Sequence, residues 1–161
     1  MRITEEHKSQ PDEEFHRKVA VECFNKTWDY LREIERNPDD DRSMLNLAHS
    51  SRYHWGFVGK AHNFAIGDWQ ISRVYSALNQ PSLAILFART CLETCQKNGL
   101  SEILVSAYEG TARAYAVAKE YRLARDSIDK ARQQLRSVVL DDEDFKIYSD
   151  QIDETERMIN Q

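Results

Sequence analysis

One stretch of the sequence recurs 40 positions later and decides the fold. Residues 69–92 read WQISRVYSALNQPSLAILFARTCL, and residues 109–132 read EGTARAYAVAKEYRLARDSIDKAR. Six positions return in register with the same or similarly small side chains: Arg73/Arg113, Tyr75/Tyr115, Leu83/Leu123, Ala84/Ala124, Ser72/Ala112 and Cys91/Ala131. Internal repeats of this length are typical of stacked helix pairs, because each pair buries its apolar face only against a neighbour. The stretch therefore predicts an array of helical repeats.

Apolar side chains at helical spacing divide the chain into about seven helices. Breaks are predicted near residues 37–41, 58–61, 79–81, 98–101, 118–121 and 138–143, and all three prolines fall at predicted helix starts. The first helix is predicted from Ser9 to about Arg36, with Ile34 on its apolar stripe. We expect an all-α fold, a right-handed superhelix of about seven antiparallel helices, in a single domain of residues 1–161 with residues 1–8 disordered.

The two copies, residues 62–136, resemble the tetratricopeptide-repeat (TPR) family. The resemblance depends on a tyrosine late in the first helix of each pair and an alanine early in the second. The repeat is about six residues longer than the usual unit of that family, and Ala88 and Ile128 replace its aromatic residue in the second helix. The resemblance implies a scaffold that binds a protein or peptide along the surface made by the first helix of each pair.

Composition excludes several classes of function. The net charge of −5 and the pI near 5.6 argue against a nucleic-acid partner, which usually requires a basic face. The chain has no run of about twenty apolar residues that would span a membrane, and its charged start is unlike a signal peptide, so we expect a cytoplasmic protein. Three cysteines, Cys23, Cys91 and Cys95, lack the spacing of a disulfide framework and are expected to be reduced core residues.

No sequence motif indicates an enzyme. The chain has no glycine-rich phosphate loop, no G-x-S-x-G elbow and no H-E-x-x-H helix. We therefore expect a non-enzymatic interaction scaffold without a cofactor.

The predicted partner-binding surface lies on the first helices of the two repeats. It comprises Trp69, Gln70, Arg73, Glu109 and Arg113. Arg73 and Arg113 occupy equal positions in successive repeats, so their guanidinium groups are expected to form a ladder that binds the carboxylates of an acidic segment. The alternative is a pair of solvated or salt-bridged arginines, such as Arg113 with Glu109.

A second cluster offers a different hypothesis. Imidazoles, an arginine and an indole lie close together in sequence as His49, Arg52, His54, Trp55 and His62. Together with Trp69 they predict, as the alternative function, the pocket of a small-molecule- or metal-dependent enzyme or sensor. His49 and His54 project about 140° apart on a helix, which disfavours a shared metal. The structural alternative is that the histidines form hydrogen bonds at helix flanks and the indoles fill the core.

The last predicted helix, residues 142–160, has a narrow apolar seam and an acidic face. Its acidic face is complementary to the basic residues of the preceding helix. The acidic residues are Asp150, Asp153, Glu154 and Glu156, and the basic ones are Arg122, Arg125, Lys130, Arg132 and Arg136. This helix is predicted either to cap the last repeat or to pair with its copy in a homodimer.

Overall fold

The computed structural model describes residues 12–160, and over that range the chain forms seven α-helices and no strand. The helices are α1 (Glu13–Arg32), α2 (Pro38–Val58), α3 (Ala61–Ala77), α4 (Pro81–Asn98), α5 (Ile103–Val117), α6 (Tyr121–Ser137) and α7 (Asp142–Ile159). The prediction of an all-α fold with about seven helices is confirmed. Residues 1–8, expected to be disordered, lie outside the described residues.

Helix contacts follow the pattern of a repeat array. Each helix packs against the next along the chain, and the alternate helices α1, α3, α5 and α7 also contact one another in that order. The three pairs α1–α2, α3–α4 and α5–α6 are therefore neighbours, and α7 takes the place of the first helix of a fourth pair. This order brings four helices to one side of the array, where the candidate site lies.

The turns inside the second and third pairs are copies of each other. Asn79 (φ 54°) and Lys119 (φ 61°) both adopt the left-handed conformation, 40 positions apart. In each turn the residue after the left-handed one donates its N–H to the carbonyl of the repeated tyrosine. Gln80 donates to Tyr75, and Glu120 donates to Tyr115, both at 2.9 Å. This six-to-one hydrogen bond is the Schellman ending of a helix. The sequence repeat is thus also a repeat of backbone geometry.

Small residues let the two helices of a pair approach closely. Ala84 and Ala124 are fully buried, as the repeat predicts. The hydroxyl of Ser72 on α3 donates to the carbonyl of Ala84 on α4 at 2.8 Å. At this point the two helix backbones are separated only by the short serine side chain. Cys91 and Cys95 are buried in the same interior and Cys23 is half-buried, all three as free thiols.

The predicted end of the first helix is wrong by four residues. The helix ends at Arg32 because Glu33 is extended, and the Arg36 side chain folds back to donate to the carbonyls of Tyr30 and Glu33. Arg36 also pairs with Asp41 of α2 at 2.8 Å, so a tertiary contact stabilises this break. Ile34, assigned to the apolar stripe, is consequently 98% exposed. At the other end Asp12 caps the helix by accepting from Phe15 N–H, and Ser9 lies outside the described residues.

The acidic last helix packs on the basic one before it. Arg132 of α6 donates to Asp153 at 2.9 Å and also to Glu156, as the complementary charges predicted. Glu154 points elsewhere, toward α3 and α5. None of the described helices has both the length and the apolar character needed to cross a membrane.

Candidate functional site

A buried carboxylate joins three helices at the centre of the array. Glu109 of α5 is only 1% exposed and accepts three hydrogen bonds. The donors are the indole Nε1 of Trp69 at 3.1 Å, Nε of Arg113 at 2.9 Å and the hydroxyl of Thr155 at 2.6 Å. Trp69 and Glu109 occupy the same position in the two repeats, so the repeat itself brings them face to face. Gly110 makes room for the indole, because a Cβ there would lie 2.8 Å from Trp69 Cδ1.

The neighbouring charges keep Glu109 ionised. Burial alone would raise the pKa of this carboxyl, but Arg113 and Arg73 together with the hydrogen bonds from Thr155 and Trp69 outweigh burial and lower it. The pKa of Arg113 is raised, because its ion pairs with Glu109 and Glu154 outweigh the opposing effect of burial. The pair is therefore a fully charged, desolvated contact, in which loss of either partner leaves an uncompensated charge.

Arg73 bridges this buried network to the surface. Its guanidinium lies over the rings of Trp28 (5.2 Å) and Trp69 (5.9 Å) and donates from Nη2 to Glu154 at 2.9 Å. Glu154 also lies 3.2 Å from Nη2 of Arg113, yet its side chain remains 47% exposed. The two arginines thus share one surface carboxylate, supplied by α7.

An apolar cavity, which we call the inner groove, opens beside this network. It has a volume of about 210 Å³ and receives side chains from α1, α3, α5 and α7. Its lining residues are Phe24, Trp28, Ile66, Trp69, Ile103, Ser106, Tyr148 and Gln151. The Oε1 atom of Gln151 is buried and accepts no hydrogen bond. The groove therefore combines aromatic walls with one acceptor that lacks a donor.

A second cavity, the donor cavity, is lined by both arginines, Arg73 and Arg113. Its volume is about 150 Å³, and its lining residues are Leu31, Arg73, Ser76, Ala77, Arg113, Glu154 and Met158. Three buried donor atoms on this lining make no hydrogen bond: Nη1 of Arg73, Oγ of Ser76 and Nη2 of Arg113. Buried polar atoms of native proteins usually have hydrogen-bond partners. Here Nη2 of Arg113 lies 3.2 Å from Glu154 and Nη1 of Arg73 lies 3.7 Å from Glu109, so both are ion-paired without a well-aligned hydrogen bond, and the Ser76 hydroxyl has no partner within residues 12–160.

All five residues predicted as the partner-binding surface lie in or beside these cavities. Trp69, Arg73, Glu109 and Arg113 form the network, and Gln70 donates to the carbonyl of Phe24, which fixes α3 on α1. The guanidinium ladder is not free, because Arg113 is 7% exposed and both arginines bind carboxylates of their own chain. Sequence reasoning missed Trp28 of the inner groove, Glu154 of the donor cavity and Thr155 of the buried network. These residues belong to the first and last helices, outside the two recognised repeats.

The second cluster is divided among separate contacts. His49 bonds to the hydroxyl of Tyr75 at 3.0 Å, His54 bonds to His16 at 2.9 Å, and Arg52 pairs with Asp68 at 2.9 Å. In the remaining contacts Trp55 lies under the guanidinium of Arg17, and His62 is exposed beside the α4–α5 turn. Each of these side chains thus connects to a different neighbour. Burial lowers the pKa of His49 and, together with the charge of His16, that of His54.

Among residues 12–160, no group of three or more His, Cys, Asp or Glu side chains is placed to hold a metal ion. Comparisons with protein-family models, with curated proteins and with solved structures find no match for this chain. The inner groove and the donor cavity are therefore taken as the candidate functional site.

Proposed function

We propose that this protein is a non-enzymatic scaffold that binds a protein segment, acidic and apolar in character, in the inner groove. The observation that carries the proposal is a cavity with aromatic walls, formed by four alternate helices of a repeat array, with the guanidinium group of Arg73 over two of its tryptophans. Aromatic and arginine side chains are the residues that contribute most to binding at protein interfaces.

The size of the cavity favours side chains of a partner over a cofactor. A volume of about 210 Å³ lies below the roughly 300–1,000 Å³ of typical small-molecule sites. One or two bulky apolar side chains of a bound segment would fill it and contact Trp28 and Trp69. The Oε1 of Gln151, which has no hydrogen-bond partner in the described part of the chain, offers an acceptor to a polar side chain of the same segment.

A partner-independent selection tests this proposal. A random peptide library displayed on phage is panned against the wild-type protein, and the affinities of enriched peptides are then measured by fluorescence anisotropy. Ile66→Lys places a charge on the groove wall, and Leu86→Lys places the same charge on the outer side of α4, where Leu86 is 54% exposed.

We expect enriched peptides that carry bulky apolar residues next to acidic ones. They should bind Leu86→Lys as tightly as wild type and Ile66→Lys at least about 30-fold more weakly, the equivalent of a hot-spot loss of about 2 kcal/mol. Peptides that bind both variants equally, or no enrichment at all, would contradict a binding role for the groove.

A further inference from the structure

We propose that the donor cavity is a carboxylate-binding site, which Glu154 of α7 occupies in the free protein and which an acidic side chain of the bound segment takes over. The inference rests on the proposed function and specifies the chemistry of the partner. It starts from three buried donor atoms that make no well-aligned hydrogen bond with any described residue.

The donors at this cavity exceed what the chain's own carboxylates satisfy. Arg113 uses Nε on Glu109 and Nη1 on Glu154 and Met158, which leaves Nη2 without a hydrogen bond although Glu154 Oε2 lies 3.2 Å away. Arg73 uses Nη2 on Glu154, and its Nη1 is 3.7 Å from Glu109. The hydroxyl of Ser76, in a residue 8% exposed, also lacks a partner. Two guanidinium groups and a hydroxyl together match a carboxylate, which is planar and accepts hydrogen bonds through both oxygens.

Charge balance indicates that Glu154 leaves when a second carboxylate enters. Arg73 and Arg113 carry two positive charges, and Glu109 and Glu154 carry two negative ones, so another anion beside both glutamates would be unpaired in a buried site. Glu109 is fully enclosed and held by three donors. Glu154, by contrast, is nearly half exposed and can turn into solvent. It is therefore the group that an incoming carboxylate replaces.

The location of the cavity connects this exchange to the groove. Arg73 forms a wall of the donor cavity while it covers the tryptophans of the inner groove at 5–6 Å. Along α7, Tyr148 and Gln151 line the inner groove, and Glu154 and Met158 line the donor cavity. Residues three or four apart on one helix thus reach both cavities. The segment that fits is a helix with a bulky apolar residue and an acidic residue about one turn apart.

Chemical rescue with acetate tests the site in the full-length protein. Glu154→Ala removes the resident carboxylate, and Glu154→Gln keeps its volume without its charge. The melting temperatures of wild type and both variants are measured in sodium acetate and in sodium chloride at equal ionic strength and pH 7.

We expect acetate to stabilise Glu154→Ala saturably and to leave the other two proteins unchanged. At ten times its dissociation constant a ligand raises the melting temperature of a domain of this size by about 3–6 °C. Adding Ser76→Ala to the Glu154→Ala variant should weaken the response. Equal melting in the two salts, or the same shift in all three proteins, would overturn the proposal. Inorganic phosphate that stabilises more than acetate would show a general oxyanion site, which also contradicts it.

Failure of the site and failure of the groove have different signatures. If acetate has no effect while selected peptides bind and lose affinity in Ile66→Lys, the groove functions and the donor cavity is not its acidic subsite. If acetate rescues Glu154→Ala but panning enriches nothing, the carboxylate site stands and the proposed function fails. In enriched peptides, replacing the acidic residue with its amide should weaken binding to wild type at least tenfold, whereas unchanged affinity refutes the takeover.

Discussion

Replacing the central carboxylate by its amide, Glu109→Gln, should be strongly destabilising. The amide has nearly the same volume as the carboxylate, so the change removes one charge from a site that is 1% exposed. Arg113, 7% exposed, then keeps only the half-exposed Glu154, and Trp69 and Thr155 donate to a weaker acceptor. Removing one partner of a buried ion pair typically costs about 3–5 kcal/mol. We expect a loss in that range.

The assay is urea unfolding followed by far-ultraviolet circular dichroism, with Glu93→Gln as the control at an exposed position of α4. The pKa of Glu109 is lowered in the folded state, so its contribution to stability is fully present above the ordinary carboxyl value of 4.5 and is lost as the pH falls through the lowered value. The difference between wild type and Glu109→Gln should therefore be constant from pH 7 to about pH 5 and narrow below it. A loss no larger than that of Glu93→Gln would refute the buried network.

Four other substitutions test the repeat and the histidine contacts. Lys119→Gly should raise the free energy of unfolding by up to about 1 kcal/mol, because Lys119 has a φ of 61°, which glycine adopts without strain. Glu120→Gly is the control: φ is negative there, so glycine should lower the free energy of unfolding in the same urea titration. Gly110→Ala should destabilise by about 1–3 kcal/mol and change tryptophan fluorescence, since the added Cβ meets Trp69; a neutral effect would place that indole elsewhere. The pKa of His54 is lowered, so the folded state disfavours its protonation, and the free energy of unfolding should fall as the pH drops below about 6.5. His54→Gln should make the free energy of unfolding less dependent on pH in this range. An unchanged pH profile in this variant would count against the His16–His54 contact.

The repeat region could be predicted from the sequence because its signals are local. Side chains recur 40 positions apart, and each turn residue ends its own helix, so the repeat predicts that Ala84 and Ala124 are buried contacts between helices, as they are. The left-handed Lys119 confirms the register from the backbone. The end of α1 could not be predicted this way, because Arg36 stabilises it through Asp41 of another helix.

Only part of the candidate site could be predicted from the sequence, because some of its contacts are local and others join distant parts of the chain. The residues of the Arg113–Glu109 pair are four apart on one helix, so the sequence itself offers this ion pair as the alternative to a free arginine. The Arg73–Glu154 contact joins residues 81 positions apart, which no periodicity reveals. For the histidine cluster, closeness in sequence predicts a shared pocket that the structure does not form. Residues that are close in sequence along α2 face different neighbours, so His49 reaches α3 while His54 reaches α1.

Fluorine NMR of the protein labelled with 5-fluorotryptophan tests the central claim most directly. The chain has three tryptophans, of which Trp28 and Trp69 line the inner groove and Trp55 lies outside it beneath Arg17. The resonances are assigned with Trp55→Phe and then followed during titration with a peptide selected on the wild-type protein. Binding in the groove predicts that the signals of Trp28 and Trp69 shift together while that of Trp55 stays in place. A shift confined to Trp55, or saturable binding without any change at Trp28 and Trp69, would contradict the account.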